Sequence, residues 1–184
     1  METAILLTGA PQCGKTTLLQ NVLAAYSGPV GGFYTREVRK HGRRTAFEMV
    51  TLDGETGILA GVHLPGPPKV SRYGVDLNAL EDVALPAIRR AREKGALVVI
   101  DEIGPMELFS EAFCQTVLDT LDAGCPLLGT IVQRSTLFSD RIKQRADVAL
   151  VQVTAENRDA LLNELVINLY ELTAAQRQNL NGEP

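Results

Sequence analysis

One eight-residue segment near the start of the chain constrains the possible folds more than any other feature. Residues 9–16, GAPQCGKT, match the pattern G-x-x-x-x-G-K-[ST] at every specified position. An apolar run at residues 4–7 precedes the segment, and apolar residues recur at helical spacing after it, over 15–25. A loop that wraps a chain of phosphates with its backbone N–H groups needs this position between a buried strand and a helix. The segment therefore predicts a strand, a phosphate-binding loop and a helix in succession.

The chemistry of the loop gives its residues separate roles. Gly14 lets the backbone approach a phosphate closely, and the helix that follows adds the positive end of its dipole. Lys15 reaches the oxygens of the β- and γ-phosphates, and the Thr16 hydroxyl is a ligand for Mg²⁺. The alternative is a turn rich in Gly and Pro whose threonine only caps the helix. The predicted nucleotide-binding residues of the loop are Gly9, Ala10, Pro11, Gln12, Cys13, Gly14, Lys15, Thr16 and Thr17.

Two acidic residues follow a second buried strand. Residues 96–100, ALVVI, are wholly apolar, and Asp101 and Glu102 come directly after them. Ligands of parallel α/β sheets bind at the carboxyl ends of the strands, so we expect Asp101 near the Mg²⁺ that Thr16 binds. Glu102 is then placed to orient an attacking water or to accept its proton. The alternative is that both carboxylates are solvated residues that end the strand.

The alternation of short apolar strands with helices predicts the fold class. This order is typical of an α/β protein whose parallel sheet is covered on both faces. We expect a P-loop NTPase three-layer sandwich with a mainly parallel sheet and a small antiparallel hairpin elaboration. One domain is expected over residues 1–172, with the hairpin insertion at about 30–62, and a polar, frayed tail at 173–184.

Several element boundaries are predicted from local signals. The hairpin strands are expected at 30–38 and 47–52, joined by the charged turn at 40–44. A mainly helical stretch is expected at 77–94, which Pro86 either opens or kinks. Ser110 is expected to cap one helix, and Thr154 to cap the last one.

Composition limits the partners and the compartment. The chain has 18 Lys+Arg and 22 Asp+Glu, so its net charge of −4 does not attract nucleic acid or anionic lipid. Three scattered cysteines, Cys13, Cys114 and Cys125, do not suggest a disulfide framework or a zinc site. The apolar runs are too short for a membrane span or a signal peptide. We therefore expect a cytoplasmic monomer that acts without nucleic acid or membrane.

Five segments resemble a known family, and they occur in the order GAPQCGKTT, GGFYTREVRKHGRR, VSRYGVDL, VVIDEIGPMEL and VTAENRD. Over about residues 3–170 the chain is similar to the cancer-related nucleoside-triphosphatase family of thermophilic prokaryotes and vertebrates. The resemblance implies a small Mg²⁺-dependent enzyme that slowly hydrolyses several nucleoside triphosphates to diphosphates, with weak base selectivity.

The resemblance also carries residue roles to matching positions. It places Gly9, Gly14, Lys15 and Thr16 on the phosphate loop, and Asp101 and Glu102 on the metal and water site. One position departs from the family pattern, because Gln12 stands where the family usually has glycine after the loop proline. The Cβ of Gln12 narrows the backbone conformations open to the loop, and we expect this to affect rate and selectivity more than nucleotide binding.

A basic patch lies in the predicted hairpin and comprises Arg36, Arg39, Lys40, Arg43 and Arg44. It either closes over the triphosphate, with Arg36 supplying charge to the transition state as an arginine finger, or is a solvated hairpin tip. Arg36 is the best single candidate because it is nearest to the apolar strand.

Further candidate site residues lie after later strands of the chain. Gln133 and Arg134 follow the strand after the acidic one, and either sense the γ-phosphate or begin a loop. Asn157 and Arg158 are expected at the start of the last helix, where they either contact the base or ribose or lie on the surface. Tyr73 is expected to pack rather than to stack on a base.

Three functions agree with these patterns. The first is attack of water on the γ-phosphate, assisted by Mg²⁺ and Glu102. The second is a nucleotide or small-molecule kinase, for which the spaced arginines Arg134, Arg141 and Arg145 resemble a basic lid. The third is a binding module in which triphosphate orders a flap that a partner recognises.

Overall fold

The computed structural model describes residues 2–181, and the side chains as far as residue 176. In this part of the chain one sheet contains β1 (Ala4–Thr8), β2 (Val30–Lys40), β3 (Arg43–Thr51), β4 (Thr56–Gly61), β5 (Lys69–Val70), β6 (Tyr73–Val75), β7 (Leu97–Ile103), β8 (Leu127–Ile131) and β9 (Val148–Gln152). The α-helices are α1 (Lys15–Ala25), α2 (Leu77–Ala79), α3 (Leu85–Glu93), α4 (Glu111–Asp122), α5 (Leu137–Lys143) and α6 (Leu161–Asn181). A π-helical turn at Leu80–Ala84 joins α2 to α3, and a 3₁₀ turn at Glu107–Phe109 precedes α4.

Five strands form a parallel core that supports the site. They lie in the order β2-β7-β8-β1-β9, and every neighbouring pair is parallel. β1 and β8 are fully buried because helices cover both faces of the sheet. Parallel strands bring the ends of β1, β7 and β8 to one edge of the sheet, which we call the carboxyl edge. The expected α/β fold with its parallel sheet is confirmed.

The antiparallel part of the sheet is larger than the hairpin predicted from the sequence. β3, β4, β6 and β5 continue the sheet beyond β2, each antiparallel to its neighbour. The turn predicted at 40–44 is wrong in length, because it contains only His41 and Gly42, with φ angles of 50° and 75°. Positive φ at both residues matches the twist of two paired strands, so the strands extend up to the turn itself.

β2 continues past the carboxyl edge. Its residues 30–34 pair with Leu97–Asp101 of β7, whereas residues 35–40 pair with β3 alone. At about 3.3 Å per residue, the second part extends roughly 20 Å. We call residues 35–40 and 43–49 the ribbon. It forms a wall beside β7, the strand that carries the acidic pair.

Helices cover both faces of the sheet and give the expected three layers. On one face, α1 and α6 bury Leu18, Leu19, Val22, Leu165 and Leu169. On the other face, α3, α4 and α5 bury Ile88, Phe113, Val117, Leu121 and Ile142. None of the helices described is both long and apolar enough to cross a membrane.

The helix signals at Pro86 and Ser110 are confirmed. Pro86 lies in the first turn of α3 and therefore opens that helix rather than kinking it. The Ser110 hydroxyl accepts a hydrogen bond from the backbone N–H of Phe113 at 3.0 Å, which caps α4.

The prediction that Thr154 caps the last helix is wrong, because α6 begins at Leu161. Thr154 and Asn157 instead hold a separate turn. The Asn157 N–H donates to Thr154 Oγ1 at 3.2 Å, and the Thr154 N–H donates to Asn157 Oδ1 at 2.8 Å. These two bonds have the reciprocal pattern of a capping box, and the Arg158 N–H donates to the Thr154 carbonyl oxygen at 3.2 Å, so Thr154 caps this turn and not α6.

The frayed tail predicted from residue 173 is helical as far as Asn181, and residues 182–184 lie outside the described residues. Thr173 is buried and accepts a hydrogen bond from the Tyr26 hydroxyl at 3.2 Å, which ties α6 to the end of α1. The division into one domain over 1–172 with an insertion at 30–62 stays a prediction.

Candidate active site

The loop between β1 and α1 has the position that its pattern predicts. Gly9 has a φ of 155°, and a Cβ built on it would lie 2.3 Å from the carbonyl oxygen of Val153, so no side chain fits there. Lys15 Nζ donates to the carbonyl oxygens of Gly9 and Ala10, at 3.0 and 3.2 Å. In the described chain no side chain caps the amino end of α1, so its first N–H groups are available to an anion.

Gln12 has a backbone conformation that favours glycine. Its φ is 65°, in the left-handed region, and its exposed side chain borders the site. A non-glycine residue in this region costs about 1 kcal/mol. The loop therefore keeps a glycine-like shape and adds an amide side chain to its mouth.

Asp101 is a buried carboxyl group with one oxygen unsatisfied. The Thr130 hydroxyl of β8 donates to Asp101 Oδ1, whereas the buried Oδ2 has no hydrogen-bond partner among the described residues. Burial raises the pKa of Asp101, while the hydrogen bond from Thr130, the nearby Thr16 hydroxyl and the charge of Lys15 oppose the rise. A buried acceptor without a donor is an arrangement that a bound cation satisfies.

Two further carboxyl groups lie beside Asp101. Burial raises the pKa of Glu102, the charge of Lys15 opposes this, and the charge of Asp101 adds to it. Glu107 is only 4% exposed, and burial, together with the charge of Glu102, raises its pKa to about 8. A Cβ built on Gly104 would lie 2.9 Å from Glu102 Cδ and 3.2 Å from Glu107 Oε2, so both side chains flank this glycine.

Sequence reasoning missed Glu107. An acidic residue at the start of a short turn is ordinarily a surface residue, and its helical neighbours gave no sign of burial. The available signal was its place inside the DEIGPMEL segment that carries the resemblance.

A cavity of about 890 Å³ opens at the carboxyl edge. On its loop side it is lined by Gly9, Pro11, Gln12, Gly14, Lys15, Thr16, Thr17 and Gln20. Its middle is lined by Asp101, Glu102, Pro105, Thr130, Val132, Gln133 and Arg134, and its ribbon side by Thr35, Arg36, Glu37, Arg44 and Phe47. The predicted residues that do not line it are Ala10, Cys13, Asn157 and Arg158.

The donor atoms at the centre of the cavity suit Mg²⁺. The Thr16 hydroxyl and Asp101 Oδ2 are oxygen donors, which Mg²⁺ prefers. Mg²⁺ is usually held by one or two carboxylates together with phosphates and waters, not by an all-protein cage. The described residues contain no group of three or more His, Cys, Asp or Glu placed to hold one metal ion.

Three arginines of the basic patch form ion pairs on the ribbon. Arg36 Nε donates to Glu48 Oε2 at 2.6 Å, although the Arg36 side chain is 57% exposed. Arg39 and Arg44 both pair with Glu37, each at 2.6 Å. Arg36 is thus held at the cavity, and its role as an arginine finger stays a prediction.

The three arginines of the predicted basic lid are not brought together. Arg134 lines the cavity, but Arg145 bonds to Asp147 at 2.7 Å and to Asp122 at 2.6 Å. Asp147 directly precedes β9, so this ion pair lies at the edge of the sheet opposite the carboxyl edge. Arg145 is therefore a structural residue.

The late pair Asn157 and Arg158 lies beside the loop and not at the start of a helix. Asn157 Nδ2 donates to the carbonyl oxygen of Gln152 at 2.9 Å, and Asn157 Oδ1 accepts from the Thr154 N–H at 2.8 Å, so the amide makes its bonds within the turn after β9. A Cβ built on Gly14 would lie 2.7 Å from Arg158 Cδ, which places Arg158 against the loop backbone.

Tyr73 is buried, as expected. It packs edge-on against Phe47 with the ring centroids 5.1 Å apart.

This arrangement of loop, acidic pair and sheet has counterparts among known proteins. A family model described as NTPase matches residues 4–166. The chain belongs to the NTPase family. This match and the relatives below confirm the resemblance drawn from the five sequence segments.

Relatives in this family come from distant organisms. The chain is similar to nucleoside-triphosphatase THEP1 of Thermotoga maritima, with 41% identity over 162 residues that cover 88% of this chain and 92% of the relative. It is similar to the human cancer-related nucleoside-triphosphatase, with 43% identity over 182 residues that cover 90% and 96%. Its fold is similar to the crystal structure of THEP1 from Aquifex aeolicus, with a TM-score of 0.83, 32% identity, and coverage of 90% of this chain and 98% of that one.

Proposed function

We propose that this NTPase-family chain hydrolyses nucleoside 5′-triphosphates to diphosphate and phosphate, with Mg²⁺ and with little preference for the base. The observation that carries the proposal is the placement of Asp101 and Glu102 in one cavity with Lys15 and Thr16. The names of relatives that match most of the chain agree with the reaction.

Each residue of the site has a separate task in this reaction. The loop and Lys15 hold the phosphates, which positions the γ-phosphorus toward the end of β7. Thr16 and Asp101 would hold Mg²⁺, which when bound neutralises charge on the phosphate oxygens. Glu102 accepts a hydrogen bond from the attacking water and orients it in line with the bond that breaks.

The electrostatic setting of Glu102 suits a base. Burial raises the pKa of its carboxyl group, so Glu102 holds a proton more strongly than an exposed glutamate does. Lys15 opposes this rise and keeps the carboxylate form accessible. Arg36, once released from Glu48, would add positive charge on the side of the attacking water.

The proposed weak base selectivity is supported by the turn after β9, which contains the residue predicted to contact the base. Selectivity needs hydrogen-bonding groups that are free to read the edge of the base. The Asn157 amide is bonded to Thr154 and to Gln152 within its own turn, and Asn157 does not line the cavity, so this candidate base-reading side chain is directed away from a bound nucleotide.

We also propose a cytoplasmic monomer that acts without nucleic acid. The net charge of −4 and the free thiols of all three cysteines support this assignment.

Phosphate release from ATP, GTP, CTP and UTP tests the proposal. We expect wild type to release phosphate with all four, and only with Mg²⁺. Glu102→Gln should lower kcat by about 10²–10⁴-fold while nucleotide binding is kept, because only the orientation of water is lost. The exposed Glu164 of α6 provides a matched control, and Glu164→Gln should match wild type.

Two results would contradict the proposal. Tight nucleotide binding without phosphate release from wild type would favour a nucleotide-dependent binding module. A loss of less than tenfold in Glu102→Gln would remove Glu102 from its assigned role.

A further inference from the structure

The order of the strands places the end of β8 next to the phosphate that reacts. β8 lies between β1, which leads into the phosphate loop, and β7, which carries the acidic pair. Neighbouring strands are about 4.8 Å apart, so roughly 10 Å separates the strand of the loop from the strand of Glu102. A triphosphate that Lys15 binds, attacked by a water that Glu102 orients, therefore has its γ-phosphate over the carboxyl end of β8.

The segment that follows β8 is fixed beside this position. The Val132 N–H donates to the carbonyl oxygen of Ile103 at 3.0 Å, so the chain leaves β8 next to the acidic pair. Lys143 Nζ of α5 donates to the carbonyl oxygen of Gln133 at 3.1 Å, which holds the backbone of the next residue in the segment. Arg134 follows directly and lines the cavity.

Arg134 differs from the other cations that line the cavity, because its side chain has no protein partner. Arg36 and Arg44 are each paired with a carboxylate of the ribbon, and Lys15 donates to carbonyl oxygens of the loop. Among the residues that the structure describes, none forms a salt bridge or a hydrogen bond with the exposed Arg134 guanidinium. A guanidinium has five N–H donors and keeps its charge at any physiological pH, so Arg134 is available to a bound anion.

We infer that Arg134 binds the γ-phosphate and thereby lets the protein distinguish a triphosphate from a diphosphate. The inference rests on the proposed function, since it keeps the loop and Glu102 in the roles assigned there. The water oxygen bonds to the γ-phosphorus and gives its proton to Glu102, and the diphosphate leaves with the electron pair of the broken bond. Arg134 takes part in no covalent bond. Its guanidinium stabilises the charge on the γ-phosphate oxygens in the transition state, and it has no contact with the diphosphate that remains.

The alternative is that Arg134 is a solvated residue at the start of a loop and acts only through the net charge of this surface. The chain offers a matched control for that alternative. Arg141 of α5 is also exposed and does not line the cavity. A general effect of charge predicts similar results for Arg134→Gln and Arg141→Gln, whereas a contact with the γ-phosphate predicts an effect of Arg134→Gln alone.

Calorimetric titration in Mg²⁺ with ADP and with the β,γ-imido analogue of ATP tests the inference. We expect Arg134→Gln to raise the Kd of the analogue by about 10–100-fold, because a charged hydrogen-bonded contact is lost, and to leave the Kd of ADP as in wild type. Arg134→Lys keeps the charge but not the planar fork, so its Kd for the analogue should lie between these values. The kcat of Arg134→Gln for phosphate release should fall by about 10²-fold. Arg141→Gln should match wild type in every measurement.

The outcomes separate this inference from the proposed hydrolysis. Weakening of both ligands by the same factor, weakening of neither, or an equal effect of Arg141→Gln overturns the inference. Phosphate release by wild type, with both Kd values unchanged in Arg134→Gln, overturns the inference and leaves the hydrolase. Selective weakening of the analogue by Arg134→Gln, in a protein whose wild type releases no phosphate, supports the inference and rejects the hydrolase.

Discussion

Replacement of Glu107 by glutamine tests the electrostatics of the site. Glu107 is buried, and its pKa of about 8 compares with 4.5 for the exposed group. At a pH between these two pKa values, Glu107 keeps its proton in the folded protein but has lost it in the unfolded chain. The free energy of unfolding therefore falls as pH rises, by about 1.4 kcal/mol per pH unit from this group alone. By pH 8 the accumulated loss is on the order of 4 kcal/mol.

Glutamine has no proton to lose, so Glu107→Gln removes this dependence. We expect the stability of Glu107→Gln relative to wild type to rise steadily between pH 5 and pH 8. Urea unfolding at four pH values in EDTA measures the difference, since EDTA removes bound cations that would alter the charge of the site. The exposed Glu164→Gln serves as the control and should show no such trend.

The outcome is decided by how the stability difference between Glu107→Gln and wild type changes with pH, and not by its size at one pH. Loss of packing or of a hydrogen bond shifts the variant by the same amount at every pH. A difference that stays constant from pH 5 to pH 8 would mean that Glu107 titrates like an exposed glutamate, and the reasoning from burial would be refuted.

Two further predictions concern the loop and the acidic pair. Gln12→Gly should raise the free energy of unfolding by at most about 0.5 kcal/mol, because relief of about 1 kcal/mol of left-handed strain is offset by roughly 0.5 kcal/mol or more of entropy that glycine loses on folding. Thermal unfolding measures the difference, and a lower stability of Gln12→Gly would contradict the prediction. Thr130→Val should lower the free energy of unfolding by about 1–3 kcal/mol in EDTA, because the buried Asp101 Oδ1 loses its hydrogen-bond donor. Urea unfolding measures the change, and an unchanged midpoint would contradict the prediction.

Local signals in the sequence predicted the strand, loop and helix around the phosphate site. The pattern at 9–16 needs neighbours of fixed type, and α1 begins at Lys15 and ends at Ala25 as expected. The buried strand that ends in Asp101 and Glu102 was also predicted, because a wholly apolar run followed by two acids is legible without tertiary contacts.

The ribbon and the burial of Glu107 depend on tertiary contacts that cannot be predicted from local sequence. Residues 35–40 pair with β3 beyond the point where β2 pairs with β7, because the turn contains only His41 and Gly42. The charged residues on both sides of this turn led to the prediction of a longer loop. The burial of Glu107 depends on how the segment after β7 folds back over Gly104. The capping signal at Thr154 is used by the turn that follows it, whereas α6 begins only at Leu161, and local signals do not separate the two.

The hydrogen-bonded junction between β2 and β7 has a mechanical consequence. Tyr34, the last residue before the ribbon, is paired with Asp101 itself. Because β2 runs without a loop from this junction into the ribbon, the hydrogen bonds of the sheet set where the ribbon starts relative to the acidic pair. The sheet therefore also sets how long a molecule must be to contact both the phosphate loop and the first residues of the ribbon.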